Sequence, residues 1–164
     1  MTEPLDVELL IEDEGWRAAG PALFDRLTGA LQAAAQAEGA SGAVCALLTG
    51  DAEMAELNGR FRGKPKPTNV LSFPAAEGPG APGEALGRAA LGDLALGYGV
   101  VAQEASEQGK LLIDHACHLA VHGFLHLLGY DHERDDEAER MEARERVILE
   151  GLGVADPYAD RGAS

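Results

Sequence analysis

Five histidines fall between positions 115 and 132 of this 164-residue chain, and His122, His126 and His132 stand in the pattern HxxxHxxGxxH. That spacing can close three imidazoles around one metal ion. Two histidines four apart on a helix share a face about one turn apart, so His122 and His126 can direct ring nitrogens to one point. Gly129 can end the helix with a positive φ, letting Tyr130 and Asp131 turn the chain and bring His132 to the same ion. Three protein ligands leave a fourth position open, the arrangement of a catalytic zinc rather than a structural one.

His118, His122 and His126 form a competing trio at four-residue spacing. Its outer members would lie about 12 Å apart along a straight helix, whereas each Zn–N bond spans about 2 Å. His118 and His115 are therefore expected to support the ligands or to pack the helix. Zinc proteases with this spacing carry a glutamate directly after the first histidine as general base. Here that residue is Gly123. A positioned base is worth roughly 10²–10⁴ in rate, about 3 to 5 kcal/mol, which argues against an efficient peptidase. A metal can still act as a Lewis acid, lower the pKa of a water and neutralise charge on a phosphoryl oxygen, so an anionic substrate fits better.

The second candidate region is basic. Arg60, Arg62, Lys64 and Lys66 place four of thirteen basic residues within seven positions, with no acid among them. An exposed helix end or a solvated loop would look the same by charge alone. Alternation with Gly63, Pro65 and Pro67 points instead to a basic loop able to meet phosphates. The chain as a whole carries a formal charge of −15, which opposes binding of nucleic acid by global electrostatics. Cys45 and Cys117 form no CxxC pair and are expected to be buried free thiols. The start, Met1 to Asp6, has no basic segment followed by an apolar one, and no run of about 18 apolar residues occurs, so a soluble cytoplasmic protein without a membrane span is expected.

These residues need elements to position them. Val7 to Ile11 reads as a first strand and Arg17 to Ala37 as a first helix ending near Gly39. Gly42 to Thr49 is a second, apolar strand, and Asp51 an expected N-cap for a short helix through about Phe61. Asn69 to Pro74 alternates as a strand closed by proline, which suits a sheet edge. Residues 75 to 90, with Gly78-Pro79-Gly80-Ala81-Pro82-Gly83, are expected to be a mobile loop within one domain. A fourth strand follows at Leu91 to Tyr98, then helices from Val100 to Gln108, Leu111 to Leu128 and Asp135 to Glu150. The acid-rich stretch from Glu133 to Glu150 is expected to be solvated, with Met141, Val147 and Leu149 as packing residues. Four strands and about five helices imply a single α+β (α/β-like) domain over residues 1–164 with one small mixed sheet.

The motif His122-Gly123-Phe124-Leu125-His126-Leu127-Leu128-Gly129-Tyr130-Asp131-His132 is one of four features that together resemble a known family. The others are the segment Leu57 to Pro74, which ends KPTNVLSFP, the triplet Leu91-Gly92-Asp93, and the ending Leu152 to Tyr158. The chain resembles the YbeY family of bacterial rRNA maturation factors over almost its entire length. The stretch at 75 to 90 looks longer than the short acidic loop common there. The resemblance implies a fold related to zinc-dependent proteases and a metal-dependent endoribonuclease acting on single-stranded RNA. It also implies a place in 3′-end maturation of small-subunit (16S) rRNA and in ribosome quality control. His122, His126 and His132 match the family's ligands for one Zn²⁺, and Arg62 matches an arginine important for activity. Implied partners are rRNA and the small ribosomal subunit, with small-subunit ribosomal proteins and an assembly GTPase; no DNA is expected.

On that reading zinc binds a scissile phosphate oxygen or an activated water, Arg62 stabilises the pentacovalent phosphorus, and Arg60, Lys64 and Lys66 bind the substrate strand. The 2′-hydroxyl of RNA can serve as internal nucleophile, which makes the absent glutamate tolerable. Ser72, Asp93 and Asp131 are weaker candidates for supporting roles. Two rivals stand beside this reading: a metallohydrolase acting on peptides or small molecules, and a non-catalytic ribosome assembly factor with a structural metal.

Overall fold

The computed structural model describes residues 5–75, 90–130 and 135–154. The sheet holds strands β1 (Asp6–Ile11), β2 (Ala43–Thr49), β3 (Val70–Pro74) and β4 (Ala90–Gly97) in the order β1-β2-β4-β3. β1 and β4 run parallel to β2, while β3 pairs antiparallel to β4 at the edge. The sheet is therefore mixed and four-stranded, as the strand count implies. Around it lie α1 (Glu14–Ala19), α2 (Pro21–Glu38), α3 (Asp51–Arg62), α4 (Tyr98–Gln108), α5 (Leu112–Leu127) and α6 (Asp135–Gly151). No helix among the described residues is long and apolar enough to cross a membrane.

Three expectations need correcting. The first helix is two: Gly20 takes a positive φ of 87° and Pro21 starts a new helix, because proline cannot donate the amide that would continue the old one. The chain thus has six helices among the described residues instead of five. Asp51 is not the N-cap of α3; Gly50 holds that position, and Asp51 sits in the first turn, where its charge still favours the helix dipole. Val147 is 56% exposed, whereas Met141 and Leu149 are buried as expected. The Gly/Pro-rich expectation falls on positions 76–89, outside the described residues.

One face of the sheet builds the main core. Leu23, Leu27 and Leu31 of α2 and Leu119, Phe124 and Leu125 of α5 pack with Val44, Leu48, Leu94 and Leu96 of the central strands. α5 is apolar on most of its circumference, which is what a central helix requires. α1 is tied to the strand ends by Trp16, fully buried, whose indole N–H points at the carbonyls of Thr49 (3.0 Å) and Leu96 (3.3 Å). α3 covers part of the opposite face through Met54, packed with Leu71 and Ala95. Cys45 is half-buried and Cys117 buried, both free, and burial pushes each thiol up to about 11, so neither is a ready nucleophile.

The contact that positions the histidine helix is at Gly123. A Cβ there would stand 3.0 Å from Leu94 Cδ2, 3.1 Å from Ser72 Oγ and 3.2 Å from Val70 Cγ2, so any side chain would press these neighbours back by a few tenths of an ångström and a large one would push α5 off β3 and β4. Ser72 Oγ donates to the Gly123 carbonyl at 3.0 Å and fixes the approach. The position that carries a glutamate in zinc proteases is therefore filled by strand, and a carboxylate there would be buried without a partner. Gly123→Glu should lower stability by at least about 3 kcal/mol, seen as an earlier midpoint in urea unfolding; an unchanged midpoint would mean that the helix is not so constrained.

Candidate metal centre

Of the three proposed ligands, His122 and His126 lie within the described residues and His132 lies outside them, as does Asp131. His122 and His126 occupy the last turns of α5, and their Nε2 atoms approach to 3.1 Å. Each ring's other nitrogen is engaged by an acceptor. His126 Nδ1 lies 2.9 Å from the carbonyl of Tyr130, and His122 Nδ1 meets the carboxylate of Glu145. A carbonyl only accepts, and a carboxylate accepts when ionised, so both Nδ1 atoms carry the proton. The two Nε2 atoms then turn toward each other, as two ligands of one cation would. Ligand bonds of about 2.0–2.1 Å to both nitrogens would meet at roughly 100°, near the tetrahedral value. The residues present therefore fit a metal ion.

The turn after α5 is shaped for this. Gly129 takes a φ of 102°, the positive value expected of it, and the Tyr130 amide donates back to the Leu125 carbonyl at 3.1 Å. The Tyr130 hydroxyl donates to Glu38 at the end of α2, and Arg144 of α6 donates Nε to the same carboxylate at 2.7 Å. The hydrogen bond to Glu38 raises the Tyr130 pKa. Three helices thus hold the residue whose carbonyl fixes the His126 ring. A cavity of about 450 Å³ lined by Leu128, Gly129, Tyr130, Glu137 and Arg140 opens beside this turn.

Glu145 is the residue that sequence reasoning missed. It lies in the acid-rich stretch expected to be solvated, yet its side chain is 0% exposed. Its carboxylate reaches His122 Nδ1 and, at 3.6 Å, His118 Nε2. A buried carboxylate costs several kcal/mol unless paired, and here two imidazoles pair it. His118, His122 and Glu145 bring ligand atoms within 4.8 Å of one another, a group that could itself hold a metal ion. Geometry favours Glu145 as the acceptor that orients His122, because it is shut from solvent while His122 is 25% exposed and turns its Nε2 toward His126. The signal was available: Met141, Glu145, Ile148 and Leu149 follow helical spacing, which puts Glu145 on the apolar stripe.

His115 belongs to packing, as expected. It is buried on α5, with Nε2 3.0 Å from Glu104 of α4, and burial lowers its pKa. Glu104 also accepts from Asn69 at 3.1 Å, which ties the start of β3 to α4.

The basic segment forms the end of α3 and a shaped turn. Gly63 caps the helix, Lys64 N donates to Asn58 O at 3.2 Å, and buried Asn58 donates Nδ2 to the Lys66 carbonyl at 2.9 Å. Lys64 and Lys66 are exposed, and Arg60 pairs with Glu56 at 2.7 Å across one helical turn. Arg62 is exposed, donates to the Ser72 carbonyl at 2.6 Å and lies 5.7 Å above the Phe73 ring. Since Ser72 Oγ holds Gly123, next to His122, Arg62 and the histidine pair meet the same edge strand from its two sides. Asp93 stands apart from this group, on the sheet face that α3 covers only in part.

Replacing Glu145 by glutamine keeps the volume and removes the charge that holds His122. The expected result is a metal affinity lower by about 10–100-fold in a competition titration against a chromophoric chelator, with the fold retained by circular dichroism. Equal affinity in the two proteins would take Glu145 out of the metal centre.

Comparison with known proteins identifies the family. The family model for "Endoribonuclease YbeY" matches residues 16–153. A protein named endoribonuclease YbeY from Rhodopseudomonas palustris strain HaA2 is 48% identical over 160 residues, covering 94% of this chain and 82% of that protein. One of the same name from Chelativorans sp. is 57% identical over 116 residues, covering 69% of this chain and 68% of its own. The solution structure of TM1509 from Thermotoga maritima superposes with a TM-score of 0.61 at 25% identity, over 96% of this chain and 92% of that one. With the family model spanning most of the chain and relatives this similar, the chain belongs to the endoribonuclease YbeY family.

Proposed function

We propose that this protein is a zinc-dependent endoribonuclease that cuts single-stranded RNA, acting in 3′-end maturation of small-subunit rRNA and in ribosome quality control. Membership of the family supports the RNA substrate. The observation that carries the metal centre is the convergence of the Nε2 atoms of His122 and His126 at 3.1 Å. His132 completes the ligand set in this reading, and zinc suits three imidazoles with one open position. When bound, zinc supplies a Lewis acid for a phosphoryl oxygen.

The chain's own residues do the rest. Glu145 and the Tyr130 carbonyl keep the protons of His122 and His126 on Nδ1, so both rings present lone pairs. Arg62, anchored by one N–H on Ser72, has further N–H groups to spare for the charge that builds on the phosphorus. Ser72 holds the strand against α5 and thereby sets the spacing between Arg62 and the histidines. Lys64 and Lys66, and Arg60 through its N–H groups not taken by Glu56, meet phosphates along the strand. No carboxylate stands at Gly123 to activate water, so the 2′-hydroxyl of the RNA is the nucleophile, and the bond to the 5′-oxygen breaks. The products then end in a cyclic or 3′-phosphate.

A formal charge of −15 gives little free affinity for RNA, so docking on the small subunit rests on ribosomal proteins and an assembly GTPase, in the cytoplasm.

Cleavage of a single-stranded rRNA 3′-end fragment by metal-quantified protein tests the reading. Wild type should cut in proportion to bound metal, and His126→Ala and Arg62→Ala should each lose about 10²-fold or more while remaining folded. His126→Ala should also lose the metal and Arg62→Ala keep it. Equal cleavage by all three would mark a contaminating nuclease and favour a non-catalytic assembly factor. A 3′-hydroxyl on the products would replace the internal nucleophile with water.

A further inference from the structure

Among the described residues, the sheet face opposite the main core is only half covered. One cross-strand row, Leu10, Leu47, Ala95 and Leu71, lies toward Met54 of α3. The next row, Glu8, Cys45, Asp93 and Phe73, is not covered by α3, and above it is a cavity of about 350 Å³ among the described residues. Its walls are apolar and include two rings, Phe73 and Phe61, packed edge to face at 5.2 Å. Phe61 is 54% exposed, an unusual placement for a ring that serves packing alone.

Asp93 is the polar group of this cavity. Among the described residues its carboxylate has no hydrogen bond and no ion pair, and desolvation by the surroundings raises its pKa. Asp93 is exposed at the mouth of the cavity, and the mechanism above gives it no role. Its two oxygens can accept from two adjacent donors. Among the described residues none that lines the cavity is a cation, Arg60 and Arg62 lying over the Phe61 and Phe73 rings instead, and Glu8 adds a second negative charge to the row, so the floor beside Asp93 does not favour a phosphate. A flat, neutral, donor-rich ring fits. Guanine presents N1–H and N2–H side by side, whereas adenine and cytosine offer one amino group beside a ring acceptor, and uracil one N–H between two carbonyls. The rings of Phe61 and Phe73 supply the contact surface that a base requires.

The position relative to the metal centre also fits. Phe73 and Ser72 are adjacent on β3, so their side chains leave opposite faces of the edge strand: Ser72 toward Gly123, Phe73 into the cavity. Arg62 lies over Phe73 and holds the Ser72 carbonyl, at the rim between the two. We propose that this cavity is a nucleobase subsite that selects guanine near the cleavage position, with Asp93 accepting from the base edge and Phe61 and Phe73 packing on the ring. The proposal rests on the reading of the protein as an RNA-cutting enzyme and gives that enzyme a sequence preference.

Two measurements test it. First, isotope-labelled wild-type protein is titrated separately with guanosine, adenosine, cytidine and uridine 5′-monophosphates. The guanosine nucleotide should shift the resonances of Asp93, Phe61 and Phe73 and bind about tenfold tighter than the others. Second, cleavage of single-stranded RNA with randomised positions should show guanine enriched at one fixed distance from the cut. In Asp93→Asn the enrichment should fall by about tenfold, read as a ratio within that protein and so independent of its absolute rate. Binding of the guanosine nucleotide without any RNA cleavage would sustain the subsite and sink the nuclease reading. Cleavage without base preference, together with equal or absent binding of the four nucleotides, would overturn the subsite and leave the cavity to an apolar side chain of a protein partner.

Discussion

A carboxylate with no access to water has to find its compensation inside the protein, and Glu145 finds it in two imidazoles of the neighbouring helix. The demand fixes much of the architecture. α6 must present its apolar stripe to α5 in the one register that brings residue 145 level with His118 and His122. The ring of His122 is then no longer free to rotate or to choose its tautomer. Taking the charge out of water costs several kcal/mol, so the pairing is a poor source of stability and a good source of orientation. A centre that needs a lone pair at one defined point gains from that trade. Tyr130 serves His126 in the same way with a neutral carbonyl, and Glu38 and Arg144 hold Tyr130 in turn.

The edge strand β3 is where this rigid helical assembly meets the basic segment. Its side chains alternate between the histidine helix and the far sheet face, while Arg62 grips the backbone from outside. Gly123 makes the contact possible by having no side chain at all. The same residue leaves no carboxylate where a zinc protease carries its base, so close helix–strand packing and the lack of that base at this position are two sides of one choice.

What was legible in the sequence followed from local rules. The spacing of His122 and His126 and the positive φ of Gly129 are matters of helix geometry and of which residue tolerates a left-handed conformation. The four strands were marked by apolar runs between turn residues. The division into α1 and α2 was also written in the Gly20-Pro21 pair, but a continuous alanine- and leucine-rich pattern outweighed it. Glu145 was hidden for a different reason. Six other acids surround it on α6, among them Glu139, Glu142 and Glu150, and composition suggests solvent where only the helical phase indicates burial. The neighbours that make its charge bearable come from another helix, and no local pattern carries that information. Asp93 was visible as an acid after a glycine, but its place beside an apolar cavity is a property of the folded sheet.

Arg62 has a further effect through the bond it makes to β3. An edge strand offers unpaired backbone groups to any extended chain that drifts alongside, and β3 is such an edge, with Leu71 and Phe73 as apolar neighbours. By occupying the Ser72 carbonyl with a guanidinium, the protein places a fixed, hydrated charge across the line along which a foreign strand would dock. The arginine proposed to face the substrate is thus also placed to guard against self-association, whatever chemistry it serves.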